Sequence, residues 1–301
     1  MWSSRLVGTS GGASLWSSGF LPSTYQGVLF RSTGDPVLNL SNPAGLSEQM
    51  QVSGLDAIRK LNSERLQATG DEEIASRIAA YELAFRMQAS APELMDLSGE
   101  TAETHKTYGI DREEKSTAGS KRGGGKGTQA AFSRNCLLAR RLVERGTRFV
   151  SLYHASWDHH SGLDAGLKTN CDIVDQPVAA LLKDLKQRGI LESTLVIMAG
   201  EFGRTPLGEN RAGYAKVTGR DHHPSAFSVW MAGGGIKGGQ VIGVTDELGW
   251  APAEDPVHIN DFHATLLHCF GMDHKKLNFP FGGLNIRLTN VAGNVVKKLI
   301  S

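Results

Sequence analysis

Residues 171–200, CDIVDQPVAALLKDLKQRGILESTLVIMAG, decide how the fold is read. Val174, Val178, Leu181, Leu182 and Leu185 recur at helical spacing over 171–189, and Pro177 predicts a kink or restart. Beyond Gly189, TLVIMAG (194–200) is a short apolar run, the pattern of a strand buried on both faces. A helix feeding such a strand is half of a strand, helix, strand unit.

The neighbouring segments supply the other half. TRFVSLYHA (147–155) and AFSVWMAG (226–233) read as further strands. AAFSRNCLLARRLVERG (130–146) reads as an amphipathic helix with Phe132, Cys136, Leu137 and Leu142 inward, and INDFHATLLHCFG (259–271) as a helix closed by glycine. Strand and helix alternating at this spacing predict right-handed crossovers, hence an α/β core over 129–290 with a mainly parallel sheet covered on both faces.

Ahead of that core, residues 45–110 read as a helical segment. Met50, Leu55, Ile58 and Leu61 share one face, Ile74, Ile78, Tyr81 and Phe85 continue the trend, and Ser47 and Asp71 stand where N-caps belong. Residues 1–44, rich in Gly, Ser and Pro, read as a loop-rich wrap, and 111–128 as a flexible charged, glycine-rich loop. GGGKGT within it is no phosphate-binding loop, because Gly127 follows Lys126 and Ser120 stands where the first glycine belongs.

Composition excludes several classes. The chain has 301 residues, 40% of them hydrophobic, enough for a sizeable core. Lys and Arg number 32 against 31 Asp and Glu, so no overall field draws it to nucleic acid or an anionic membrane. Cys136, Cys171 and Cys269 form no disulfide framework or CxxC pattern. No apolar stretch approaches the roughly 20 residues of a membrane span. MWSSRLVGTSGGASLWSSGF at the start lacks a basic and an apolar signal region, so the chain as written reads as cytoplasmic.

Three polar segments fall at the predicted strand ends, where ligands of open α/β sheets gather. SWDHHSG (156–162) follows the first, GEFGRTP (200–206) the second, and TGRDHHPS (218–225) precedes the third. Imidazole and carboxylate together point to a divalent metal, zinc or calcium first, with manganese and magnesium also compatible. Residues two apart point the same way in an extended turn, so Asp158 and His160 are expected to share an ion while His159 faces away. Arg204 and Arg220 are candidates to clamp a phosphate or sulfate oxygen. His159, Asp221 and His223 are second-choice ligands. The plainer alternative has Asp158 capping the next turn and Glu201 tying Arg204 within its own loop. His263, His268, Trp157 and Trp230 read as packing residues.

Several stretches carry a family resemblance. SGFLPSTYQGVLFRSTGDPVLNLSNP (18–43), NCLLARRLVERGTRFVSLYH (135–154), WDHHSG, GEFGRTP and GRDHHPSAFSVWMAGGGIKGG (219–239) resemble the domain-of-unknown-function fifteen-oh-one family, sulfatase-like proteins of the alkaline phosphatase superfamily. The resemblance implies a three-layer α/β/α fold and metal-assisted hydrolysis of sulfate or phosphate esters, with a small anionic ester or sulfated glycan as substrate. It places Asp158, His160, Glu201 and His222 at the ligand positions in order. Glu201 and Phe202 stand where the superfamily commonly has an Asp-His pair.

The superfamily's early strand, with its metal-binding aspartate and nucleophile, has no counterpart, and neither Ser3 nor Ser10 has a nucleophile's setting. The expectation is therefore one N-terminally truncated domain over 1–301, poorly soluble, lacking its nucleophile, from a family whose full-length members are exported to the periplasm. A non-catalytic relative retaining at most one ion is the competing expectation. The oligomeric state is left open.

Overall fold

Ser47 and Asp71 begin the two longest helices of the N-terminal half. The Ser47 hydroxyl accepts from the Met50 amide at 3.2 Å and opens α1 (Glu48–Thr69). The Asp71 carboxylate accepts from the Glu73 amide at 3.0 Å and opens α2 (Glu72–Met95). Each side chain satisfies an amide that the first helical turn leaves without a partner. Between them Gly70 takes φ 67°, a left-handed turn that closes α1. The short α3 (Ala102–Tyr108) and α4 (Thr128–Glu144) follow.

The structure is a computed structural model that describes residues 17–19, 21, 25–30, 42–113, 127–208 and 216–300, without the side chains of 72, 83–84 and 86–91. Most of the wrap expected over 1–44, most of the loop expected over 111–128, and Ser3, Ser10, Ser120 and Lys126 lie outside the described residues. No described helix is long and apolar enough to cross a membrane.

The chain divides into two compact units, Met1–Ala155 and Ser156–Ser301. In the first, Leu94, Leu138 and Ala139 form a core cluster packed by Phe30, Met95, Leu97, Leu142, Val150 and Leu152. Two arginines of α4 reach beyond this cluster. Arg141 donates to the carbonyls of Glu93 at 2.9 Å and Asp96 at 2.8 Å, serving the end of α2, whose last carbonyls have no helical partner. Arg140, only 3% exposed, donates to Glu100 at 2.7 Å and to Glu144 at 2.6 Å. α1, by contrast, buries no residue, and Met50, Ile58 and Leu61 on its predicted apolar face are exposed.

The second unit contains α5 (Leu163–Gln187), β1 (Val196–Ala199), β2 (Gly203–Arg204), β3 (His222–His223), β4 (Val229–Ala232), β5 (Val244–Thr245), β6 (Pro252–Glu254), α6 (Ile259–Cys269), β7 (Asn278–Phe281) and β8 (Leu284–Arg287). The strands form four two-stranded antiparallel pairs, β1 with β4, β2 with β3, β5 with β6 and β7 with β8.

This overturns the three-layer α/β/α fold with a mainly parallel sheet. Among the described residues no parallel pair exists, so the alkaline phosphatase-like core expected over 129–290 is absent. A parallel pair needs a crossover, usually a helix. Residues 200–228, between β1 and β4, hold no described helix but the β2–β3 pair, and Val196 faces Ala232 in antiparallel register. Nor is β1 buried on both faces, since Ile197 and Met198 are each 37% exposed. Over 147–155 the predicted strand is reduced to a single bridge residue, Tyr153. The apolar pattern there comes from Val150 and Leu152 packing on the helical cluster.

α5 also differs from its reading. It starts at Leu163, earlier than the spacing predicted, and Pro177 lies buried inside it without ending it. α6 behaves as expected at its end, with Gly271 at φ 74° just past the C-cap Phe270. Its start carries a capping box of His258 and Asp261.

Candidate metal centre

The loop of residues 156–162 approaches residues 218–220 through backbone groups. Gly162 donates its amide to the Thr218 hydroxyl at 3.1 Å, Leu163 to the Thr218 carbonyl at 2.9 Å, and Arg220 to the His159 carbonyl at 3.0 Å. Such close passage requires a residue without a side chain at 219. A Cβ on Gly219 would collide with the backbone of His159 and His160. Ser156, at φ 77°, gives the loop its left-handed start, and its carbonyl accepts from the buried Asn170 of α5 at 2.6 Å.

The β2–β3 ladder supplies the third segment. Arg204 faces His222 and Gly203 faces His223, while Thr205 donates to the Asp221 carbonyl at 2.9 Å. Alternation along β3 then sends the two histidines different ways. His222 is exposed, whereas His223 is 6% exposed with its ring 6.0 Å from that of Trp250.

Three ligand-type side chains therefore meet: Asp158, His160 and His222. His160 Nε2 stands 2.8 Å from Asp158 Oδ1 and 3.0 Å from His222 Nε2, and His222 Nε2 stands 3.0 Å from the same oxygen. A ring nitrogen carries either one proton or one lone pair in the ring plane, so it satisfies one of two neighbours 60° apart, not both. The two ring nitrogens and the carboxylate oxygen form a near-equilateral triangle. Ligands held at about 2.0–2.1 Å from one zinc ion stand roughly 3 Å apart, so the donor set and its spacing fit a divalent cation.

Phe202 and Arg204 flank this triangle. The Phe202 ring packs 4.3 Å from the His222 ring, and the Arg204 guanidinium lies 5.4 Å above Phe202. Arg204 Nη1 donates to Asp158 Oδ1 at 2.7 Å and Nη2 to Glu201 Oε1 at 3.3 Å. Burial alone would raise the Asp158 pKa. The hydrogen bonds from Arg204 and His222, with the electrostatic influence of His160 and Arg204, outweigh it and lower the value to about 2.

The remaining candidates stand elsewhere. Glu201 lies outside the triangle and reaches it through Arg204. The His159 ring rests against Gly166 of α5, where a Cβ would overlap it, and burial followed by the charge of Arg204 lowers its pKa. Asp221 accepts the His222 amide at 2.7 Å and so holds the backbone of a candidate ligand. Arg220 donates from Nη1 to the Gly219 carbonyl at 3.2 Å. Sequence reasoning singled out neither Phe202 as a support for the His222 ring nor Gly219 as the point of closest approach. An aromatic and a glycine beside ligand candidates were the available signals.

Among curated proteins and among solved structures, nothing matches the chain. Residues 3–300 match the model of the family described as protein of unknown function (DUF1501), and the chain belongs to that family.

Proposed function

We propose that the protein is a metal-dependent hydrolase of sulfate or phosphate esters, with Asp158, His160 and His222 holding a divalent cation. The observation that carries this reading is the triangle of Asp158 Oδ1 and two imidazole Nε2 atoms, none more than 3.0 Å from the next. A cation bound there supplies Lewis-acid polarisation of an ester oxygen. Arg204 would orient the anionic group, since its planar fork suits sulfate and phosphate oxygens. Phe202 fixes the His222 ring by packing, and Asp221 fixes its backbone. Glu201, 58% exposed beside Arg204, is a further carboxylate next to the site. Zinc is the first choice of ion because two imidazoles and one carboxylate match its catalytic sites.

The choice of ester rests on the resemblance of WDHHSG, GEFGRTP and GRDHHP to sulfatase-like proteins. Elemental analysis after dialysis against zinc is the direct test. The expected result is one ion per chain, lost in Asp158→Ala and in His222→Ala, with turnover of aryl sulfates or phosphates that a chelator stops. A chain that retains no zinc above the level of these variants overturns the metal site. Zinc retained without turnover overturns the hydrolase and leaves a metal-binding relative.

A further inference from the structure

One oxygen, Asp158 Oδ1, is shared more heavily than any other atom of the site. Besides the two imidazoles, it accepts Arg204 Nη1 at 2.7 Å. A carboxylate oxygen that ligates a cation keeps limited electron density for a second positive partner, and the two cations it joins repel each other. Arg204 cannot withdraw by moving its backbone, because β2 pairs Arg204 with His222 in the ladder. Only the guanidinium can turn away, and it is 21% exposed, with a longer bond of 3.3 Å to Glu201.

Charge gives the direction in which it turns. Asp158, Glu201 and Arg204 together carry one negative charge, and a divalent cation turns this into one positive charge. An oxyanion beside Arg204 neutralises the excess and offers the guanidinium a replacement for Asp158.

We propose that Arg204 is a coupling residue: it competes with the cation for Asp158 Oδ1, and an oxyanion relieves the competition by drawing the guanidinium to itself. Cation and oxyanion then bind with positive cooperativity, each strengthening the other by the same factor. The inference rests on the metal site proposed above, and it adds an order to the site. The ion is held loosely until an anionic ligand arrives.

Zinc affinity measured calorimetrically on the full chain, in sodium sulfate and in sodium chloride of equal ionic strength, tests this. Asp158→Ala supplies the background from other zinc ligands such as the exposed Cys171. In the unmodified chain sulfate is expected to tighten zinc binding about fivefold or more, the lower end of usual coupling. Arg204→Ala is expected to bind zinc several-fold more tightly in chloride and to lose the sulfate effect. Arg204→Lys, which keeps the charge without the fork, is expected to keep part of it.

Equal zinc affinity in sulfate and chloride for the unmodified chain overturns the coupling while leaving the metal site standing. So does weaker zinc binding in Arg204→Ala, which would mark Arg204 as a support for Asp158. The unmodified chain binding no more zinc than Asp158→Ala overturns the site itself, and the coupling with it.

Discussion

At the scale of single residues, the charge on Asp158 is the first quantity to check. Its carboxyl is lowered to about 2 against an unfolded value of about 3.9, so its contribution to stability is complete above the unfolded value and disappears as pH falls from there through about 2. A carbon-13 titration of the Asp158 carboxyl is expected to find its midpoint near 2, and Arg204→Ala to move it upward by removing its strongest hydrogen-bond donor. An unchanged midpoint in the variant would show that Arg204 does not stabilise the carboxylate. Gly219 bears on the same residues through space. Gly219→Ala puts a Cβ into the backbone of His159 and His160, so the loop must withdraw. Loss of zinc binding with a near-native circular dichroism spectrum is expected, whereas full retention would mean that the two segments tolerate separation. Asp158 and His160 were legible as a pair from their spacing of two, and His222 from its position in GRDHHP. The bond from Arg204 to Asp158 was not, because 46 positions separate the two residues and they meet only through the β2–β3 register and the backbone bonds that hold the loop of 156–162 to residues 218–220.

At the scale of elements, helix ends were legible where side chains make them. Ser47 and Asp71 cap α1 and α2 through bonds that depend on local residues alone. β1 and β4 were legible as strands because TLVIMAG and SVWMA suit a pleated surface. Their direction was not, because an apolar run records burial and says nothing of which way its neighbour points. The missing clue was the connection. Residues 200–228 carry Gly, Pro and charges without helical period, so they offer no crossover helix, and antiparallel pairing results. The end of α4 supports a further prediction. Arg140→Leu leaves Glu100 and Glu144 without the guanidinium that both contact at 2.7 Å or less. Arg141 still reaches Glu100 at 3.3 Å and Glu144 is 25% exposed, so the cost is expected below the roughly 3–5 kcal/mol of a fully buried broken pair, at about 2 kcal/mol. Urea denaturation of the variant should show that loss, and a cost below about 1 kcal/mol would place the network among exposed ion pairs.

At the scale of the whole molecule, the position of the site within the chain determines how metal acts on stability. Asp158, His160, Glu201, Arg204 and His222 all belong to the unit Ser156–Ser301, though they come from segments that the chain separates by as many as 64 positions. A cation at the triangle would therefore close the long stretch of chain from His160 to His222, and its binding free energy would add to the folding of that unit. At a free zinc concentration of 100 times the dissociation constant, linkage contributes about 2.7 kcal/mol. For a unit of this size that corresponds to a rise in melting temperature of roughly 5–10 °C. Zinc is expected to produce this rise in the intact chain, EDTA to reverse it, and Asp158→Ala to abolish it. The protection should also be local: hydrogen exchange should slow at residues 156–162, 203–204 and 218–223, where the backbone carries the candidate ligands and Arg204. A rise of equal size in Asp158→Ala would assign the zinc to other side chains. Protection confined to Met1–Ala155 would refute the placement of the site in the second unit.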